Sequence, residues 1–366
     1  MTASLQSSAE PGVPVDAMLP ADANPFDTPL LQRVWLETMA SRFDEAERHG
    51  EWLIQRHRVF RDLMTLREAR VVGWNSVMDQ ILTPNRVASF ARDIQSRRWD
   101  YLRIHCNNRY LAMHDMAALK ALGLQPVIAK APTQYVIDLR QGWDGYWESI
   151  SHNTRKSFRR KIKRAAELEP TFFYYDLDDA TIDAFFEDYF RHHIAHWDEK
   201  AGGSYFRIPQ EREFIKALVK AMRDAADAGD DSAGRPVLTG MRLKGDVASM
   251  SLSVISGDTL YWLLTINTGL FKEHFPGIVN MYLSAQAAAE QSFRFFNMGT
   301  GDYFYKVQAA NMAIPGQVLL AANPQSLPGR LYVPRLAQRL NALEADKPVP
   351  EDMTRWPEVG TPNPLT

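Results

Sequence analysis

The chain has a single cysteine, Cys106, among 366 residues, which excludes an intrachain disulfide and any zinc or iron–sulfur site built from several cysteines. Nothing marks its surroundings as electropositive, so a buried, inert thiol is the expectation and a nucleophile the less favoured reading. Long apolar runs are also missing. No stretch approaches the roughly 18 apolar residues needed to cross a bilayer. No Lys or Arg precedes Arg33, and the start of the chain lacks the apolar region of a secretion signal. A soluble, cytoplasmic protein is expected. Charge of one sign is not in excess either: 42 basic residues face 44 acidic ones, for a formal charge of -2. That balance argues against a protein that coats nucleic acid.

What positive charge there is lies concentrated. In "SHNTRKSFRRKIKRAAELEP", residues 151 to 170, seven of the ten positions from Arg155 to Arg164 are Lys or Arg. Phe158, Ile162 and Ala165 recur at i, i+4 and i+7, and Ser151 or Asn153 is available as a cap. The block therefore reads as a helix with a narrow apolar stripe. Its charged face is either a surface for a polyanion or a solvated face, the usual fate of charge runs.

Residues 1–25, rich in Ala, Pro, Ser and Asp, read as a flexible leader. From Thr28 to about Arg70 the spacing of Leu31, Val34, Trp35, Thr38 and Met39, then of Trp52, Leu53, Val59, Phe60, Leu63 and Leu66, predicts two helices. "WDYLRIH" and "PVIAKAPTQYVIDL" read as strands around a helix that ends at Gly123. "TFFYYDL" is a short strand, followed by two helices that reach Asp227. "VLTGMRL", "ASMSLSVISG" and "TLYWLLTIN", joined by "KGD" and "SGD", form a three-stranded antiparallel meander. "FPGIVNMYLSAQAAAEQS" opens a helix with Pro276 and Gly277, and "RFFNMGTGDYFYK" is a strand running into a glycine turn. A short docked helix and a frayed end are expected after Asn323. These elements imply a mixed sheet with a strand-to-helix junction at its centre, where backbone N–H groups face an anionic ligand.

The sequence "WDGYWESISHNTRKSFRRKIKRAAEL", then "LFKEHFPGIVNMYLSAQAAAE", then "FFNMGTGDYFYK" resembles the CelD-type branch of the GNAT acyltransferases, related to the FemABX peptidyltransferases. The resemblance spans about residues 60 to 320 and rests on the order of several loose motifs. It implies an α/β (α+β) fold: a GNAT-like, mostly antiparallel mixed sheet flanked by helices, preceded by a degenerate GNAT-like lobe. The division it suggests is a lobe over 26–130, a transferase core over 131–322 and a tail over 323–366.

The activity implied is transfer of an acyl group to an amine, with no tightly bound cofactor. The donor is an acyl-CoA or, in the Fem branch, an aminoacyl-tRNA. The usual CoA pyrophosphate loop, with an Arg or Gln and spaced glycines, is missing before Pro276, so both donors stay open. A non-catalytic module holding RNA or an anionic glycan is a third reading. The acceptor would be a small-molecule or glycan amine.

The resemblance singles out Arg155 and Arg159, with Pro276 and Gly277, for the donor's phosphates. It places Lys306 to stabilise the oxyanion built by amine attack. Asp302 is either a base or a turn residue, and His196 is a second candidate base. Trp197 would line the acceptor pocket with His196. Tyr303 and Tyr305 present two phenols on one face, as packing or as proton donors. His192, His193 and His196 share a helix without an HExxH or a third ligand, so no metal is expected. The "GTG" at 299 to 301 is a turn more readily than a phosphate loop.

Overall fold

The computed structural model describes residues 25–39, 46–59, 63–73, 82–106, 109–198, 203–301 and 303–345. The expected leader lies almost wholly outside them, as do the far end of the tail and Asp302. Eleven strands form one open sheet in the order β1-β2-β3-β4-β11-β5-β10-β9-β8-β7-β6, flanked by ten α-helices among the described residues. Only β3–β4 and β9–β10 pair in parallel; the other neighbours are antiparallel. The mostly antiparallel mixed sheet read from the sequence is therefore what the chain forms.

The first lobe contains α1 (Pro29–Met39), β1 (Glu47–His49), β2 (Trp52–Val59), β3 (Met64–Val71), α2 (Pro84–Asp93), β4 (Tyr101–Cys106) and α3 (Arg109–Ala121). Here one expectation fails. The second helix expected before Arg70 is the β2–β3 hairpin, with Trp52 opposite Val71 and Val59 opposite Met64. Its apolar residues happen to match a helical period, but they serve different faces: Trp52 and Ile54 pack against Phe90 and Ile104, Leu66 packs with Tyr101, and Leu63 at the turn is exposed. Cys106 is buried, its Sγ 3.6 Å from Asp115 Oδ2.

Next come β5 (Pro126–Asp138), α4 (Gly142–Ser149), α5 (His152–Ala166), β6 (Thr171–Tyr174), α6 (Asp179–Asp198) and α7 (Pro209–Asp227). The expected meander follows as β7 (Arg235–Leu243), β8 (Asp246–Ser256) and β9 (Thr259–Asn267), then α8 (Pro276–Glu290), β10 (Phe295–Thr300), α9 (Phe304–Ala309), β11 (Met312–Ala322) and α10 (Leu327–Ala345). One face of this lobe is covered by α1, α6 and α7 through Trp35, Phe186, Phe214, Leu252 and Ile266. The other is covered by α8 through Trp262, Met281, Phe296 and Met298.

The two lobes share one construction. Each is an antiparallel hairpin (β2–β3, β8–β9), a helix that begins with proline (α2, α8), a strand parallel to the hairpin (β4, β10), a helix (α3, α9) and a long strand (β5, β11). The long strands are exchanged: β5 pairs with β10 of the second lobe, and β11 pairs with β4 of the first. They also pair with each other at the centre of the sheet.

Candidate functional site

The parallel pair β9–β10 marks an opening in the sheet. Its register holds only at Phe295, Phe296 and Asn297 against Thr259, Leu260 and Tyr261. Beyond that point β9 carries an extra residue, Leu263, because Leu252 pairs with Leu264 while Ser253 pairs with Trp262. Such a bulge bends a strand and turns the following side chains to the other face. β10 is itself irregular between Asn297 and Thr300. Two strands that part in this way leave backbone unpaired between them.

At one end lies the start of α8. Its cap residue Phe275 and the earlier Phe271 both have a φ of 54°, left-handed conformations that cost a non-glycine residue energy and gather at functional sites. No side chain caps α8, so none offsets the positive polarity of its first turn. Gly277 is required here because a Cβ would stand 2.6 Å from Asn267 Oδ1 at the end of β9.

The basic helix packs beside this end. Ser151 is its cap, accepting from Thr154 N at 3.1 Å. Phe158 and Ala165 are buried as their spacing predicts, and so is Lys161, only 9% exposed, with Nζ 5.5 Å from the ring centres of both Phe158 and Phe275. Burial, and after it Arg160, lowers its pKa. Lys161 was not distinguished within its block, though it lies one position from the apolar stripe.

Arg155 turns inward: Nη1 donates to the carbonyls of Trp147, Glu148 and Ile150 at 3.0, 2.9 and 2.9 Å, locking α4 to α5. Arg159 lies over the Trp147 ring at 5.5 Å, above the packed rings of Trp143, Trp147, Phe158 and Tyr282. Lys156, Arg159, Arg160, Lys163 and Arg164 are exposed, and none forms an ion pair among the described residues.

The other end is aromatic. Tyr303 and Tyr305 stack at 5.9 Å and Tyr305 meets Trp262 edge-on at 6.5 Å. Tyr189 donates its hydroxyl to the Thr265 carbonyl at 3.4 Å. Burial raises the Tyr189 phenol pKa first, and the nearby Tyr205 and Tyr305 add to it. Tyr205 in turn feels Glu211 and Tyr303. His193 is buried among Tyr189, Trp197, Tyr205 and Phe206, its Nδ1 2.8 Å from Ser204 Oγ. Burial, helped by His196, lowers its pKa to about 4, so the ring is neutral at pH 7. His196 is exposed and meets Trp197 edge-on at 5.7 Å.

Lys306 lies at this aromatic end. It lies in the short helix α9, where the sequence reads as a turn, and is 7% exposed. Its Nζ donates to the Thr300 carbonyl at 2.8 Å and lies 5.4 Å from the Tyr303 ring centre. The structure thus gathers Lys306, Tyr303 and Tyr305 at the end of β10, with His196 and Trp197 on the helix that carries Tyr189 and His193. It sets Pro276 and Gly277 at the start of α8, with Lys161 against Phe275, and leaves Arg159 over Trp147 near Tyr282. Sequence reasoning missed Tyr205, Trp262 and Lys161, and named His193 only as one of three histidines sharing a helix; the placement of all four depends on contacts between distant segments. No group of three His, Cys, Asp or Glu among the described residues is placed to hold a metal ion, and no helix among them is long and apolar enough to cross a membrane.

Residues 152–307 match the model of the acetyltransferase (GNAT) domain family. Among solved structures the chain is similar to FemX, with a TM-score of 0.51 at 15% identity over 85% of this chain and 95% of that one. The C-terminal domain of a putative lysylphosphatidylglycerol synthetase from Agrobacterium fabrum gives a TM-score of 0.49 at 10% identity over 92% and 96%. A tandem GNAT protein from the clavulanic acid biosynthesis pathway gives 0.38 at 12% identity over 82% and 97%. No curated protein matches. From its basic helix through the opening between β9 and β10 to Lys306, the chain carries an acetyltransferase (GNAT) domain, within a fold shared with FemX.

Proposed function

We propose that the chain moves an acyl group from an acyl-CoA-type donor to an amine, by direct attack through a tetrahedral intermediate at the opening between β9 and β10. The observation that carries this reading is the uncapped start of α8. A helix end with free positive polarity beside a buried lysine fits phosphate oxygens. In this reading Arg159, Lys161, Pro276 and Gly277 hold the donor's phosphates, and Arg155 fixes the joint that presents them. The acceptor enters from the aromatic end, lined by Trp197, Tyr303 and Tyr305. Its nitrogen attacks the acyl carbon, and the Lys306 ammonium stabilises the charge that develops on the carbonyl oxygen. Asp302 or His196 takes the proton; His193, held neutral with a low pKa, is a weak acceptor and positions the pocket instead. The core of the reaction is 131–322, with 26–130 as the accompanying lobe.

The five exposed, unpaired cations of α5 favour a second reading in which the donor is an aminoacyl-tRNA. Titration with acetyl-CoA, a long-chain acyl-CoA and aminoacylated tRNA separates the two. Saturating acyl-CoA is expected to raise Tm. Binding of tRNA alone, weakening steeply with salt, would transfer the chemistry to aminoacyl transfer. No response to any of the three would end both readings.

A further inference from the structure

The two faces of the first lobe's sheet are built from opposite chemistry. Under α2 the strands β2, β3 and β4 present Ile54, Ala69, Leu102 and Ile104, all apolar. On the other face, alternation along the same strands brings together Gln55 and His57, Glu68 and Arg70, and Tyr101, Arg103 and His105. Gln55 stands opposite Glu68, Glu68 beside Tyr101, and Arg70 beside Arg103. Helices reach this polar face from both sides. Arg70 lies over Trp35 of α1, its Cζ 5.8 Å from the ring centre, and Tyr101 meets Tyr332 of α10 at 5.3 Å. Glu68 and Arg70 are buried, and His57, with 35% of its side chain exposed, marks where the cluster meets solvent.

The charges of this cluster do not balance. Glu68 Oε2 accepts from the Tyr101 hydroxyl at 2.6 Å and lies 2.8 Å from His57 Nε2. Among the described residues neither Arg70 nor Arg103 forms an ion pair. Arg70 Nη2 donates to the Gly73 carbonyl at 3.0 Å, but its Nε, the Nε of Arg103 and the Gln55 amide oxygen are buried without a partner. Burial lowers the Arg70 pKa; Glu68 opposes that shift and Arg103 adds to it. His105 is neutral at pH 7, because burial, and after it Arg103 and Arg70, lower its pKa to about 3. Buried charges are ordinarily matched by opposite ones, and guanidinium groups with unmet N–H donors suit carboxylate and phosphate oxygens. We propose that this face of the first lobe binds a small oxyanion, a carboxylate or a phosphate, between Arg70 and Arg103, with Gln55 beside it. Neighbouring strands lie roughly 4.8 Å apart, so the oxygens of one such group can meet both guanidinium groups. The Gln55 amide can turn either its oxygen or its NH2 towards the ligand. The site lies outside the residues assigned to acyl transfer, and the proposal does not rest on that reading.

The test measures Tm of the full chain in sodium phosphate and in sodium acetate, each against sodium chloride at matched ionic strength. At least one of the two oxyanions is expected to raise Tm by a few degrees, with the concentration dependence of a single site. A response to phosphate alone identifies a phosphate site, and a response to acetate alone a carboxylate site. Arg103→Gln should weaken binding of the effective ion at least about tenfold. Glu68→Gln, which removes the competing carboxylate, should tighten it. Arg70→Gln probes the buried partner, and the half-buried Arg103 keeps the test decisive where that change costs the fold. Phosphate also suits the start of α8, so Lys161→Met is measured alongside and should leave the response in place. A response lost in Lys161→Met and kept in Arg103→Gln puts the ion at α8 and overturns the proposal. A Tm indifferent to both oxyanions overturns it as well.

Discussion

The helices α2 and α8 occupy equivalent places in the two lobes and both begin with proline, yet their first turns are treated in opposite ways. In α2 the Thr83 side chain accepts from Arg86 N at 3.2 Å, so the exposed donors of the helix start are met from within the protein. Arg86 is itself consumed, with Nη1 2.8 Å from Asp27 and Nε 2.7 Å from Glu51. In α8 the cap is a left-handed phenylalanine whose side chain accepts no hydrogen bond, and Lys161 beside it faces aromatic rings. Under the proposed function the difference has a meaning: the lobe that satisfies its helix start internally is the support, and the lobe that leaves it uncapped holds the donor ligand.

The strongest attack on that contrast is at Lys306, which the proposed function places on the developing oxyanion. Lys306→Met is expected to lower kcat about 100- to 1,000-fold with little change in donor binding, measured by steady-state kinetics with the donor that binds. Retention of full kcat would remove the lysine from the mechanism. Next, Phe275→Asp gives α8 the kind of cap that α2 has and places a carboxylate where phosphates are proposed. Donor affinity by calorimetry should drop at least about tenfold, equal to 1.4 kcal/mol, while Tm holds or rises. The mirror experiment, Thr83→Ala, should cost about 1 kcal/mol of stability and leave donor affinity untouched.

Acid provides the mildest contrast. Burial lowers the His193 pKa to about 4 from the usual 6.5, so the unfolded chain binds the extra proton and stability is lost as pH falls from about 6.5 towards 4. In the first lobe, burial alone would raise the Glu68 carboxyl. The hydrogen bond and charge of His57, with Arg103 and Arg70, outweigh it and hold the pKa at about 2, so its stabilising effect is lost only below about 4.5. His193→Gln should therefore flatten the stability curve between pH 6.5 and 4, and Glu68→Gln should flatten it below that window.

Local order was legible in the sequence. Glycine turns fixed the meander, Ser151 announced the basic helix, and Pro276 with Gly277 announced α8, because each is decided by residues within a turn of one another. The β2–β3 hairpin was misread, since Trp52, Leu53 and Leu66 fit a helical period and only their distant partners reveal two faces. Leu263 as a bulge, Lys161 against Phe275, and His193 inside a ring cluster were hidden for the same reason: each depends on a neighbour brought in by tertiary contact. Arg155 shows the converse, a cation that spacing nominates for a ligand and packing turns towards carbonyl groups.

The exchange of β5 and β11 has a consequence for how the molecule is made. β4 ends at Cys106, but the strand that pairs with it, β11, reaches only to Ala322. At about 5–20 residues per second, a nascent chain must wait on the order of ten to forty seconds with that edge open before its partner emerges from the ribosome. Neither lobe can finish its own sheet alone, so a message cut short before β11 would yield no half-enzyme, only a chain with an uncovered strand edge and a strong tendency to aggregate.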